Sequence, residues 1–156
     1  MTEGLGHSLT TAGFVFSIAQ AVAIPARIVW GWVAGRYAPP RLVLAALGLA
    51  MAVAAAATGT FDRGWSLAAI TAVAMAYSAT AISWHGVLLA EVARVAPAGR
   101  VAAVTGGVLS FGSAGMMSYP LIFSAILAGS GSYAYGFWLL CLPALGAGLL
   151  LYRSRS

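Results

Sequence analysis

The sequence predicts an all-α membrane protein: a bundle of five transmembrane helices forming one domain over residues 1–156. Three observations carry that expectation. Hydrophobic residues make up 62% of the chain and charged residues 7%, whereas a water-soluble domain of ordinary composition is about 25% charged. The apolar residues gather into five runs, each near the roughly 20 residues that one crossing of a bilayer requires. The breaks between runs are short and rich in turn formers, namely Tyr37-Ala-Pro-Pro-Arg41, Gly59-Thr-Phe-Asp-Arg-Gly64, Arg94-Val-Ala-Pro-Ala-Gly-Arg100 and Gly129-Ser-Gly-Ser132. Consecutive runs are therefore expected to pack as antiparallel neighbours.

The first span covers about residues 12–34 and carries Ser17, Gln20 and Arg27. The second, about 42–58, is rich in alanine and holds nothing more polar than Thr58. The third, about 65–90, contains Thr71, Tyr77, Ser78, Thr80, Ser83, Trp84 and His85. The fourth, about 101–128, contains Thr105, Ser110, Ser113, Ser118 and Tyr119; the fifth, about 135–152, offers only Cys141 and its terminal tyrosines. A polar group in hydrocarbon needs a partner. The first, third and fourth spans are therefore expected to face protein or a water-filled cavity, and the second and fifth to face lipid.

Within the third span, Thr71, Ser78 and His85 recur every seven residues and drift only about 20° per repeat, which makes one polar stripe. Helix packing and cavity lining are both open readings of it. Gly31 and Gly35 in the first span, and Gly106, Ser110, Ala114 and Ser118 in the fourth, form small-residue stripes at four-residue spacing. Such stripes let helices approach closely.

Charge sets the orientation. All eight basic residues are arginines. Arg36, Arg41, Arg94, Arg100, Arg153 and Arg155 fall on one side of the five spans; Arg63, Asp62 and Glu3 fall on the other. The positive-inside rule puts the first group in the cytoplasm, with the N-terminus outside and the C-terminus inside. Scattered in this way, the net charge of +5 is explained by topology rather than by nucleic acid. The lone Cys141 forms no intrachain disulfide, and its spacing to His7 and His85 is not that of a metal site. Residues 1–11 are polar and lack the basic start of a signal peptide. No cofactor and no catalytic set is expected.

Arg27 lies about seven residues from the inner end of its span, roughly 10 Å deep, where a charge costs about 2.5–3.5 kcal/mol. It is either a contact for an anion or other substrate, or an arginine that snorkels to pair with an acid at the cytoplasmic ends. Glu91 is the one acid near that face, so it is the natural partner for Arg27 or Arg36. His85 is either a proton carrier or a helix-to-helix hydrogen-bond partner. Trp84, away from the interfacial belts where the other tryptophans cluster, either stacks on substrate or packs.

The stretch Arg27-Ile-Val-Trp-Gly31-Trp-Val-Ala-Gly35-Arg36-Tyr-Ala-Pro-Pro-Arg41 resembles the cytoplasmic signature of the major facilitator superfamily of secondary transporters. That signature runs Gly, three residues, Asp, Arg, two or three residues, then one or two basic residues, and follows the second span of each six-span half. Gly31, Arg36 and Arg41 match it, and Arg27 matches a common upstream arginine; Gly35 stands in place of the acid, and Ala38 and Pro40 in place of a glycine and a basic residue. The degenerate form is similar to the second copy, in the C-terminal half. The segment from Trp84 through Glu91, Arg94 and Arg100 to Thr105-Gly-Gly107 also resembles that half, where the tenth span ends in an acid and a basic loop leads on. Sugar-carrying members place an arginine seven residues after that acid, a spacing Arg94 and Arg100 miss.

The resemblance implies that the five spans correspond to the eighth through twelfth of twelve, most of one six-helix half. It implies that the third span lines a central cavity while the second and fifth face lipid. Gln20, Arg27, Thr71, Ser78, Trp84 and His85 become candidates for the cavity, and Gly31, Gly35, Arg36, Arg41, Glu91, Arg94 and Arg100 for gating. The expected activity is ion-gradient-driven, alternating-access transport of a small solute across the plasma (inner) membrane. The expected partners are the lipid bilayer, a small-molecule substrate, and the missing N-terminal half or another copy of the chain. A scaffold or a non-transporting fragment is the alternative.

Overall fold

The computed structural model describes residues 5–154; Glu3 and Arg155, used above for orientation, lie outside the described residues. Those described are helical apart from short connections, and five helices or helix pairs are long and apolar enough to cross a membrane. The first, α1 (Leu9–Arg36), begins where the Ser8 hydroxyl accepts a hydrogen bond from the Thr11 amide at 3.1 Å. The second, α2 (Pro40–Gly59), starts on proline, which has no amide hydrogen to leave unpaired at a helix start. The fourth crossing, α5 (Val101–Ser130), stops at Gly131, whose φ of +65° is a left-handed conformation that suits glycine. Ser132 then caps α6 (Tyr133–Arg153).

The third crossing is the single span expected, Leu67–Val95, but its helix is interrupted. It divides into α3 (Leu67–Ala81) and α4 (Trp84–Val95), with Ile82 and Ser83 between them, both still in the right-handed helical region. The interruption puts Thr71 and Ser78 on α3 and His85 on α4.

The bundle is organised around α2, which packs most extensively on α6, with α3 and α4 also laid against it. At the α2–α6 crossing a Cβ on Gly48 would sit 3.1 Å from the Ala144 carbonyl oxygen and 3.2 Å from the Gly148 Cα. Reciprocally, a Cβ on Gly148 would sit 3.1 Å from the Ala45 carbonyl oxygen. Side-chain-free surfaces on both helices thus allow backbone-to-backbone contact. Farther along, Gly59 lies against the Trp138 indole and Gly136 against the Phe123 ring.

Two expectations are corrected here. The second span was expected to face lipid, yet α2 is the most enclosed crossing, with Ala45, Leu47 and Ala55 shut away. Low polarity shows only that a helix tolerates an apolar medium, and a protein interior is as apolar as lipid. The stripes at Gly31 and Gly35 and at Gly106 were expected to mark close approach; a Cβ at any of them meets nothing within 4 Å. Within this chain the close approach uses Gly48 and Gly148 instead.

The first and fourth crossings leave much of their surface uncovered, whereas the third buries Ser78, Thr80 and Ser83. α1 leans on α3 through Val15, Ala19 and Ala23 and leaves its opposite face open. α5 has no buried residue over its whole length. It touches α6 and α4 lightly, with the Tyr119 hydroxyl donating to the Gly136 carbonyl at 2.8 Å.

Gly48→Ala forces a methyl into backbone that cannot yield, so a loss of about 1–3 kcal/mol is expected, read by unfolding titration in mixed micelles. Gly31→Ala should leave stability unchanged or raise it, because Ala is the better helix former. Equal effects of the two substitutions would show that the glycine contact does not anchor the bundle.

Candidate functional site

On α1, Gln20 and Arg27 lie seven residues apart, two helical turns, and both are exposed beside the face that packs on α3. Arg27 is nine residues from the end of α1, about 13 Å along the axis. Among the described residues the single ion pair joins Arg94 and Glu91, so among them Arg27 carries a charge with no counterion.

On the third crossing Thr71 and Ser78 belong to α3 and His85 to α4. The Thr71 hydroxyl donates to the Leu67 carbonyl one turn back, at 2.7 Å. Ser78 is buried at 9% exposure. His85 stacks on Trp84 with ring centroids 4.0 Å apart and planes inclined by 22°. Trp84 reaches across the bundle: it packs on the core formed by Ala34, Val43, Leu44, Leu47 and Val87, and its outer ring edge lies 3.9 Å from where a Cβ on Gly112 of α5 would be.

At the arginine-rich end, Glu91 is held by Arg94, whose Nε and Nη2 donate to the two carboxylate oxygens at 2.9 and 2.7 Å. Neither Arg27 nor Arg36 takes this carboxylate, contrary to expectation. Three residues apart on one helix, Arg94 is already beside Glu91 and needs no second helix to find it. Arg41 lies within electrostatic reach of the same carboxylate. Arg36 and Arg100 are exposed at this end, as is Gly35.

Two features escaped the sequence reading as site elements. Ser83, at 1% exposure, occupies the cap position of α4 but makes no capping bond, and its hydroxyl has no partner. Its signal in the sequence was one more serine in a polar run, and only the helix break singles it out. Tyr119 was counted among polar residues, and its reach to the Gly136 carbonyl could not be read without the crossing of α5 over α6. Two clefts flank the centre of the bundle. One of about 800 Å³ lies at the Phe61 and Tyr133 end, between α3, α5 and α6. The other, of about 380 Å³, runs between α2, α4 and α6 toward Glu91. Among the described residues no group of three or more His, Cys, Asp or Glu side chains is placed to hold a metal.

Comparison with known proteins finds a relative of this sequence. Over 139 residues the chain is 37% identical to proteins described as the probable nitrate/nitrite transporter NarK2 of Mycobacterium tuberculosis, in strains CDC 1551 / Oshkosh and ATCC 25618 / H37Rv. The match takes in 88% of this chain and 33% of each relative, so the chain spans about a third of the length of the curated relatives it matches. No family model matches the chain, and no solved structure does. Identity at this level over nearly the whole chain, with five apolar crossings, makes this an integral membrane protein homologous to a transporter.

A buried hydroxyl without a partner costs about 1–3 kcal/mol, so Ser83→Ala should leave thermal stability unchanged or raise it by up to that amount. A comparable drop in the unfolding titration would mean that a partner in the native membrane holds the hydroxyl.

Proposed function

We propose that the chain is part of a secondary transporter of small inorganic anions of the nitrate and nitrite type. In this reading it belongs to the major facilitator superfamily and contributes most of the C-terminal half. The observation that carries it is Arg27: a charge in mid-span, on an uncovered face, with no acid beside it. A cation placed there at a cost of about 2.5–3.5 kcal/mol is compensated when an anion passes. The homologous protein's description as a nitrate/nitrite transporter supports that chemistry.

Guanidinium is the suitable group. Its planar fork can give two parallel hydrogen bonds to two oxygens of a planar oxyanion, which a lysine ammonium cannot match. Gln20, two turns away on the same stripe, adds a neutral donor and acceptor. Trp84 and His85 supply a rigid aromatic wall on the neighbouring crossing, and Thr71 and Ser78 complete the candidate cavity. At the arginine-rich end, Glu91, Arg94, Arg41, Arg36 and Arg100, with the hinge glycines Gly31 and Gly35, form the cytoplasmic gate. In this reading Glu91 changes partners as the halves rock, and an ion gradient drives the cycle. The N-terminus lies outside the plasma (inner) membrane and the C-terminus in the cytoplasm.

The uncovered faces of α1 and α5 support a carrier completed by further spans, which the threefold greater length of the relatives also favours. An assembly protein would need no isolated arginine in mid-span.

Uptake of labelled nitrate and nitrite by cells lacking their own carriers tests the reading. Arg27→Gln should lower uptake about 10- to 100-fold, the worth of a hydrogen bond to a charged group, with membrane abundance unchanged, and Arg27→Lys should retain part of the activity. Full uptake by Arg27→Gln would remove the anion contact. For orientation, in a Cys141→Ser background, Arg63→Cys should react with an impermeant thiol reagent in intact cells and Ala98→Cys only after lysis. The reverse pattern would invert the topology.

A further inference from the structure

The cleft of about 380 Å³ at the arginine-rich end is lined in part by Trp84 and Glu91, which the transport reading also uses, but the rest of its lining has no part in that reading, and its two ends differ in chemistry. Its length runs along Leu44 and Met51 of α2, Leu88 of α4, and Ala147 and Leu151 of α6, so its walls are almost wholly hydrocarbon. From Leu44 to Met51 is seven residues, about 10 Å along the axis, too short to seat a membrane-spanning helix along its length. Glu91 lies at its mouth, already neutralised by two bonds from Arg94.

Arg41 does not line the slot, but it lies within electrostatic reach of Glu91, which does. It precedes Leu44 by three residues and Gly48 by seven, so all three share one face of α2. Its Nη1 is closed off from solvent and has no hydrogen-bond acceptor among the described residues. A guanidinium donor left in that state costs more than a neutral one. α2 begins with no side-chain cap, so the positive end of its dipole adds to the field around Arg41. Arg36, Arg94 and Arg100 stand at the same end of the bundle.

An apolar slot that runs from near one surface to about the middle of the bilayer, with Arg41 one helical turn from its Leu44 wall, calls for an amphiphile whose head is an anion. We propose that this slot binds one anionic phospholipid from the leaflet at the arginine-rich end, with an acyl chain between α2, α4 and α6 and the phosphate on Arg41. A free inorganic anion would gain nothing from the hydrocarbon walls, and a zwitterionic lipid would gain less from Arg41 and its neighbouring arginines.

Native mass spectrometry of the protein, purified at the length its host expresses, tests this with equimolar phosphatidylglycerol and phosphatidylcholine in mild detergent. Phosphatidylglycerol adducts should exceed phosphatidylcholine adducts about tenfold for the native protein, because both lipids offer a phosphate but the choline cation of the second is repelled by Arg41 and its neighbouring arginines. Arg41→Lys should keep most of that preference, and Arg41→Gln should lose it. Ala147→Phe, which fills the slot from an exposed wall position, should lower retention of both lipids while leaving the unfolding midpoint in place. Arg41→Gln keeping the preference would overturn the proposal. So would displacement of the lipid by inorganic phosphate, equal retention of the two lipids, or a co-purified polypeptide protected in the slot. None of these outcomes depends on nitrate uptake, so this site and the transport reading stand or fall separately.

Discussion

The approach of α2 to α6 at Gly48 and Gly148 is the contact on which the rest of the bundle depends. In a bilayer, apolar burial does not draw helices together, because lipid tails are as apolar as leucine. What remains is close packing, and glycine gives the most of it by removing the atoms that hold backbones apart. With α2 locked to α6, its other sides receive α3 and α4, and α1 rests in turn on α3. α5 has no such surface to meet and is held by Tyr119 on the Gly136 carbonyl and by Trp84 beside Gly112.

This arrangement leaves polar and glycine-bearing faces of α1 and α5 uncovered. α1 presents Gln20, Arg27 and Gly31, and α5 presents its small-residue stripe. A charge such as Arg27 does not persist in hydrocarbon without water or a counter-charge. The proposed anion path answers that requirement with the chemistry of the homologous nitrate/nitrite transporter, and the proposed completing spans supply the missing walls.

The arginine-rich end works on different principles from the middle. There charges have water and headgroups nearby, and local geometry decides pairing. Glu91 goes to Arg94 because one helical turn puts them side by side. Arg41 is excluded from that pair and left with an unmet donor among the described residues, one helical turn from the Leu44 wall of an apolar slot. The proposed gate and the proposed lipid slot therefore share a set of arginines, with Glu91 as the acid among them.

The number of crossings, their order and the polar character of each were legible in residues alone, because the need for about 20 apolar residues and the cost of polar atoms in lipid act on a single helix at a time. Arg27 stood out for the same reason. Which glycines meet was not legible: Gly31, Gly35, Gly48 and Gly148 all have the local pattern, and only the placing of one helix against another distinguishes them. The break at Ser83 was hidden because neither Ile82 nor Ser83 is a proline or glycine that would announce it. By itself, then, the sequence determined that this chain crosses a membrane five times and where its costly charge lies, since both follow from transfer energies that each residue carries with it. The tertiary structure alone decided that α2 is enclosed and that Arg41 is left unmet, since those depend on distances between atoms that a linear pattern does not contain.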